Sequence, residues 1–437
     1  MIRTPPHRRA GLWAGPLVLA VAVAASAAPG PDQRTEFANG LVLLHHDNPG
    51  SLTLAVACFL RVSALMETPE TAGWRNLLHQ ALLDLPDASG RRLEERVADA
   101  AAQMQLQTTP DYTEVLFQGT ADQLPALLGF VREVLSDTRL DPVSLSRRRQ
   151  EVLREIAGRR DMPQTLAQDM ALKALCGNTP CAWPPVGTFA LGALRSERLQ
   201  SLRRLHQAPN RAIVVISGPV RWEQAREQAQ AVLGPLLPRP SVPEPTVRAS
   251  ARRTSLVLHA PWQGDNAVLI MAALCPGPSH SEFPPMAVLS AVLGSGEGSR
   301  LFQALREARG LTYTVRTDLA PSRLCGMLQI MVVCEPKQTP EVFRIMQAEV
   351  AGLSSRPPSA AEVQRAVAYL TGSYLLGRQR NGEVAHYLGM FEALRPGQGH
   401  QVNLVTMFDQ VTVAQVEAAT RWLQDRNIWV QVGGPPL

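Results

Sequence analysis

The sequence predicts an α+β protein made of two similar α/β sandwich halves, each an antiparallel-rich sheet with helices packed on it. A proline-rich stretch, residues 234–253, lies near the middle and has the composition of an extended linker. Strand-like runs open the two halves at 52–62 and 256–274. Each half closes on a similar apolar strand, 212–218 and 428–433. We interpret the repeat as a gene duplication; two unrelated α+β domains with the same order of elements are the alternative.

The helical segments also follow one order in both halves. Apolar residues at helical spacing begin at Leu124, and a second helix follows over 142–157. In the second half a similar stripe begins at Val342, and a helix over 359–376 starts with Ser359 as its N-cap. The matching order supports the duplication.

The N-terminus predicts export. Three arginines precede an apolar run over 12–25, and small residues follow up to Ala27. This order is typical of a cleaved secretory signal, residues 1–27, and predicts a periplasmic or extracellular protein. The apolar run is short for a transmembrane helix, so we expect no stable membrane insertion after cleavage. A retained N-terminal anchor is the alternative.

Charge and length constrain the mature chain. The formal net charge is +5, and removal of the three signal arginines leaves 40 basic against 38 acidic residues, or +2. A near-neutral chain without a basic stripe argues against nucleic acid as a partner. About 410 mature residues exceed one ordinary core, so we expect domains at 28–233 and 254–437.

The cysteines and histidines show no metal-site spacing. None of the six cysteines forms a Cys-x-x-Cys pair, and no two histidines are four residues apart. Cys176 and Cys181 flank a turn that would allow a small disulfide in an oxidising compartment, and we leave that bridge open. His45 and His46 lie at a strand end beside a turn signal, where we expect a surface pair.

Several stretches follow one another in a familiar order. They are Phe37-Ala38-Asn39-Gly40-Leu41, Gly187-Thr188, Ala208-Pro209-Asn210-Arg211, Ser299-Arg300-Leu301-Phe302-Gln303-Ala304-Leu305-Arg306-Glu307 and Gly310-Leu311-Thr312-Tyr313. Together they resemble the pitrilysin/insulinase metallopeptidase family, particularly its mitochondrial-processing-peptidase-like branch. The resemblance covers about residues 36–434.

Members of that family bind zinc through an inverted His-x-x-Glu-His motif on their first long helix, plus a distant Glu. Histidines four apart share one helix face, and the Glu between them activates water. The resemblance places Asn76 at the first His, His79 at the catalytic Glu and Gln80 at the second His. Amide oxygens bind Zn²⁺ weakly compared with imidazole. The resemblance therefore implies a degenerate motif and no metal cofactor in this chain.

The third ligand position has the residue type of the family, but the other two ligand positions do not. Glu155 occupies it, while Arg148 stands where the family has another acid. One ligand of three does not make a metal site. We therefore expect Glu155 to be a solvated or salt-bridged helix residue.

The second half keeps a different signature. Arg306 and Tyr313 match the arginine and tyrosine that, in active members, hold the substrate and stabilise the oxyanion of the tetrahedral intermediate. Arginine donates several hydrogen bonds and a tyrosine hydroxyl is a directed donor, so both types suit that task. The alternative is that they are ordinary surface and packing residues.

Three functions follow from these patterns. The first is a non-catalytic subunit of a peptidase heterodimer, whose homologous partner has the intact motif and the zinc, and whose substrate is a peptide. The second is a peptide-binding or scaffold protein without a protease role. The third is a hydrolase with an atypical site using His79 and Glu155.

Overall fold

The computed structural model describes most of the chain. The described residues are 32–177, 179–240, 242–245, 255–324, 326–424 and 427–437. The predicted signal, residues 1–27, and part of the predicted linker lie outside them.

The first half contains a six-stranded sheet and seven helices among its described residues. They are β1 (Gln33–Glu36), β2 (Val42–Asp47), β3 (Thr53–Leu60), α1 (Trp74–Ala81), α2 (Leu93–Asp99), β4 (Gln103–Thr108), β5 (Thr113–Thr120), α3 (Leu124–Leu135), α4 (Pro142–Gly158), α5 (Pro163–Cys176), α6 (Ser196–His206), β6 (Ala212–Gly218) and α7 (Trp222–Leu233). Asp141 caps α4 by accepting a hydrogen bond from the Ser144 N–H, and Pro142 fills the first position, where its missing N–H costs nothing.

The described part of the second half contains a five-stranded sheet. Its elements are β7 (Leu256–Ala260), β8 (Ala267–Leu274), α8 (Phe283–Gly294), α9 (Arg300–Phe302), β9 (Thr312–Ala320), β10 (Met327–Cys334), α10 (Thr339–Ala351), α11 (Ala360–Gly377), α12 (Asn381–Leu394), α13 (Leu404–Asp409), α14 (Val413–Ala419) and β11 (Ile428–Val432). Ser359 caps α11 in a capping box with Glu362, as the sequence predicts.

The two sheets share one topology. The first has the order β1-β2-β6-β3-β5-β4 and the second the order β7-β11-β8-β10-β9. Without β1 the orders correspond strand for strand. Strand β2 pairs in parallel with β6, and β7 pairs in parallel with β11. The other strand pairs of both sheets are antiparallel. This confirms the predicted fold class of two similar α/β halves.

The halves exchange one helix each. Helix α5 of the first half packs on β8 and β11 of the second sheet. Helix α12 of the second half packs on β3 and β6 of the first sheet. These helices hold the same place in the two halves, after the long helices α4 and α11, so the exchange is symmetric.

Close approach of α12 to the first sheet depends on a glycine. A Cβ at Gly389 would lie 1.9 Å from a ring carbon of Phe59, which is fully buried. Alternate residues of β3 face opposite layers, as strand geometry requires. Ala55, Ala57 and Phe59 contact the α12 layer, and the residues between them face α1 and α3. One hydrophobic core therefore continues from the first sheet into the second half.

The start of the predicted linker is tied to the first half. The side-chain amide of Asn39 donates to the carbonyls of Leu233, Gly234 and Leu236. Further on, Glu244 bonds to Arg323 of the second half at 3.2 Å. The described linker residues have no regular secondary structure, in keeping with their proline content.

Two smaller expectations are decided by the structure. His45 and His46 are buried, so the expected surface pair is wrong: His45 Nε2 lies 2.6 Å from the Val220 carbonyl, and His46 Nδ1 lies 2.6 Å from Asp32. Cys176 is a buried free thiol, so the bridge to Cys181 is not formed. Within the described residues, no helix has both the length and the apolar character needed to cross a bilayer.

Candidate functional site

Helix α1 starts at a contact between two glycine backbones. Gly73 and Gly187 both have positive φ, +96° and +108°, and a Cβ on Gly73 would lie 2.3 Å from the Gly187 Cα. The Thr188 N–H donates to the Ala72 carbonyl beside them. Only glycine fits a left-handed backbone at this distance. Gly73 and Gly187, the second of which belongs to a stretch that carries the resemblance, therefore fix the first turn of α1.

A buried ion pair holds the same turn. Arg75 Nε bonds to Glu67 at 3.1 Å, and Nη1 donates to the carbonyls of Val62 and Thr109 at 3.0 and 2.7 Å. Glu67 also accepts a hydrogen bond from the Gly73 N–H at the helix start. Both charged side chains are almost fully buried. Such a pair persists only because its remaining donors and acceptors are satisfied.

Two of the three motif positions on α1 are buried in the protein. Asn76 is buried and its amide donates to the Val186 carbonyl at 3.3 Å. His79 is 1 % exposed, and its Nδ1 lies 3.1 Å from the Thr108 hydroxyl of β4. Gln80 is half-buried. Two of the three side chains therefore make hydrogen bonds within the fold.

His79 is held in its neutral form. Burial in the first place, and the nearby Arg75 charge in the second, lower the pKa of His79 from 6.5 to about 3. Its Nε2 is buried without a hydrogen-bond partner in the described structure. A buried, neutral imidazole in this position has no contact with bulk water.

Glu155 and Arg148 lie on α4, which packs against α1. The Glu155 side chain is exposed and makes no hydrogen bond or ion pair within the described residues. Arg148 bonds to the buried carboxylate of Asp84 through Nε at 2.7 Å, and Arg147 bonds to it at 2.6 Å. Burial raises the pKa of Asp84, but the two arginines outweigh it and hold that pKa below its ordinary value. The sequence analysis missed Asp84. The available signal was the run of arginines on α4, two of which bond to it.

Arg306 and Tyr313 are brought together on the second half. Helix α9 continues into one π-helical turn, Gln303–Glu307, and Arg306 lies in that turn. Its guanidinium donates to the Tyr313 carbonyl at 3.3 Å and lies 5.0 Å from the ring of Phe302. Single π-turns inside α-helices are frequent at functional sites.

Both side chains of this pair are open to solvent. Tyr313, at the start of β9, is 88 % exposed. Its hydroxyl has no hydrogen-bond partner among the described residues, and most of the five N–H donors of Arg306 are equally unused. Within the described structure no hydrogen bond or ion pair joins either residue to α1 or α4. The pair therefore has free hydrogen-bond donors at the protein surface.

Comparison with known sequences decides the family. The profile for insulinase, peptidase family M16, matches residues 41–188, and the profile for the peptidase M16 inactive domain matches residues 193–370. Together they cover well over half of the chain. The chain belongs to the insulinase family, M16. This confirms the resemblance at the level of the family.

Curated relatives extend the match to nearly the whole chain. An uncharacterized zinc protease of Streptomyces coelicolor is 26 % identical over 419 residues, covering 93 % of this chain and 90 % of its own length. An uncharacterized zinc protease of Mycobacterium tuberculosis is 26 % identical over 420 residues, covering 94 % of each. This M16 chain is thus similar to proteins named as peptidases along both halves.

Solved structures share the fold. A protease from Helicobacter pylori superposes with a TM-score of 0.84 at 16 % identity, covering 93 % of this chain and 99 % of the other. A peptidase M16 inactive domain from Pseudomonas fluorescens gives 0.83 at 19 % identity, covering 93 % and 98 %. At these identities the likeness shows the two-half M16 architecture and no finer property.

The α1–α4 side chains do not fit the zinc that the M16 family implies. Only His79 among the motif positions is an imidazole, and its ring is buried with Nδ1 bonded to Thr108. Asn76 is bonded to a backbone carbonyl, and Glu155 is exposed and makes no bond to either residue. No group of three or more His, Cys, Asp or Glu side chains within the described ranges has metal-site geometry. A zinc site needs three or four converging N, O or S ligands, which α1 and α4 do not supply.

Proposed function

We propose that this chain is the non-catalytic subunit of an exported zinc-peptidase-type heterodimer. In this proposal a homologous partner carries the intact His-x-x-Glu-His motif and the zinc. This chain completes the chamber in which a peptide substrate lies. The M16 family assignment supports a peptidase context, and the N-terminal sequence supports export.

The observation that carries the proposal is the exposed Arg306–Tyr313 pair. Donors that stabilise an oxyanion have to be fixed in direction and free of other partners. The Arg306–Tyr313 carbonyl bond and the Phe302 contact fix the guanidinium, while the Tyr313 hydroxyl remains unused. Because nothing within the described chain uses the Tyr313 hydroxyl or the other Arg306 donors, we infer that a substrate held by another subunit does.

The burial of α1 supports the same division of roles. A hydrolase using His79 as its base would need a water molecule or substrate at Nε2, but that atom is buried and the pKa of His79 is lowered to about 3. Glu155 is exposed on α4 and makes no bond to His79. These contacts argue against the atypical hydrolase.

The test is a peptidase assay of a reconstituted pair. The tagged mature chain is purified from the envelope fraction of its native cells, the co-purifying homologue is sequenced, and the two chains are reassembled. We expect Tyr313→Phe to keep assembly, measured by size-exclusion chromatography, and to lower kcat by roughly 100- to 1000-fold. Tyr369→Phe is the matched control, since Tyr369 is a partly exposed tyrosine of the same half.

The scaffold alternative makes the opposite prediction. If Tyr313→Phe and Arg306→Ala both leave kcat unchanged, the pair takes no part in the reaction and the chain is a scaffold. If no homologue with an intact motif co-purifies, the heterodimer itself is wrong.

A further inference from the structure

A polar cleft lies between the first sheet and the exchanged helix α12. It has a volume of about 440 Å³ and lies beside β4, the outer strand of the sheet. Its walls come from β4, β5 and the first turns of α12. His79 approaches β4 from the face that packs on α1, whereas the cleft lies on the α12 face. The cleft is therefore separate from the degenerate motif.

Glu114 of β5 lines this cleft with an unsatisfied carboxylate. Its side chain is 4 % exposed, and Oε2 lies 2.7 Å from Nδ1 of His386 on α12. The other oxygen, Oε1, is buried and has no hydrogen-bond partner. Leaving a buried carboxylate oxygen unpaired is costly, and the cost falls when a ligand supplies an N–H donor.

The remaining polar groups of the cleft do not reach this oxygen. Arg380 at the rim is 74 % exposed and bonds to Glu383 at 3.3 Å rather than to Glu114. The side chains of Gln105, Gln107 and Gln118 line the walls and make no hydrogen bond within the described structure. The cleft thus offers one buried acceptor with a charge and three free amides around it.

We propose that this cleft binds a basic side chain of a peptide, with its guanidinium donating to Oε1 of Glu114. A guanidinium has five N–H donors, so the glutamine amide oxygens can accept those that Glu114 does not. Hydrogen bonds from a cation to a carboxylate are about twice as strong as neutral ones. A metal ion is a poor fit because the described residues bring no third carboxylate, imidazole or thiolate ligand to the pair.

The surroundings favour a peptide over a free amine. The cleft opens along β4, and Gln105 and Gln107 are exposed on the strand that a ligand has to pass to reach Glu114. Amide side chains bind peptide groups through both a donor and an acceptor. The binding requires neither a partner subunit nor cleavage, so it stands apart from the proposed peptidase role.

Fluorescence anisotropy on the isolated mature chain tests this site. The probe is a labelled, end-blocked heptapeptide of Ala and Gln with one central Arg, and its counterpart has citrulline, which keeps the shape without the charge. We expect the Arg peptide to bind about tenfold or more tightly. Agmatine is the free-amine arm, and we expect it to bind more weakly than the Arg peptide.

Two variants tie the preference to Glu114. Glu114→Gln removes the charge and should abolish the preference for Arg. Gln107→Arg places a guanidinium directly across from Glu114 in the β4–β5 register, so it should fill the site and block the peptide. Glu341→Gln, at a half-exposed carboxylate of α10, is the control and should keep the preference.

Equal binding of the Arg and citrulline peptides would overturn the proposal. A preference that survives in both Glu114→Gln and Gln107→Arg would also overturn it. If agmatine binds as tightly as the Arg peptide, the assignment to a peptide side chain is wrong.

Discussion

Helix α1 of the first half and the Arg306–Tyr313 pair of the second half are the two regions matched to family signatures. The matched side chains of the first are mostly buried, whereas those of the second are exposed. On α1, Asn76 and His79 are buried and bonded to the fold. In the second half, Tyr313 is exposed, and among the described residues the Arg306 guanidinium donates only to the Tyr313 carbonyl. The first region contributes to the structure of this chain, and the second presents its groups outward.

This difference fits the proposed division of roles. In that proposal helix α1 is kept for packing, and its polar groups have partners inside the protein. An exposed arginine and tyrosine contribute little to stability, and in the proposed function they contact a substrate held by another subunit. The comparison makes different predictions for the two regions.

The largest expected effect is a difference in stability between two variants, in which the same substitution is made at a buried and at an exposed arginine. Arg75→Gln leaves the buried Glu67 carboxylate without its charge partner and removes donors from two backbone carbonyls. We expect a loss of about 3–5 kcal/mol in the free energy of unfolding. Arg306→Gln changes an exposed side chain, and we expect less than about 0.5 kcal/mol. Urea unfolding monitored by circular dichroism measures both.

Similar losses in the two variants would break the comparison. A small loss for Arg75→Gln would mean that the buried pair contributes little to the stability of α1. A large loss for Arg306→Gln would mean that the guanidinium is a structural group, and the proposed role in a shared chamber would lose its main support.

A smaller effect is expected in the pH dependence of stability. The pKa of His79 is about 3 in the folded chain and 6.5 as its ordinary value, so the unfolded chain takes up a proton that the folded chain does not. Stability from this residue is therefore greatest above pH 6.5 and falls as the pH is lowered. Between pH 7 and pH 5 the loss is about 2 kcal/mol.

His79→Gln should remove that share of the pH dependence. We expect its free energy of unfolding to fall by about 2 kcal/mol less than that of the wild type between pH 7 and pH 5. His259→Gln is the matched control, because His259 is exposed on β7. An unchanged pH dependence in His79→Gln would mean that His79 is accessible to protons. The hypothesis of a hydrolase with an atypical site at His79 would then have to be considered again.

Much of the fold follows from local sequence pattern. The structure confirms the helix predicted over 142–157, which runs Pro142–Gly158, and the helix begun by Ser359. The closing strands and the shared order of elements in the two halves are also confirmed, because apolar periodicity and capping residues are local signals.

The exchange of α5 and α12 could not be predicted in the same way. An apolar helix face shows that a helix is buried, but periodicity carries no information about which sheet covers it. The burial of His45 and His46 depends on partners far along the chain or before the strand, Val220 and Asp32. The same holds for Glu114, whose partner His386 is 272 positions away.

The smallest effect is expected at Glu155, the one motif position that keeps the ligand type found there in the family. Because the Glu155 side chain is exposed and makes no bond within the described residues, Glu155→Gln should change the free energy of unfolding by less than about 0.5 kcal/mol. The purified chain should hold well under one zinc per molecule, since Asn76 and Gln80 replace imidazole ligands. Elemental analysis of wild type and variant, purified without chelators, measures this. One zinc per wild-type molecule that disappears in Glu155→Gln would mean that α1 and α4 still bind metal, and would reverse the contrast between the two regions.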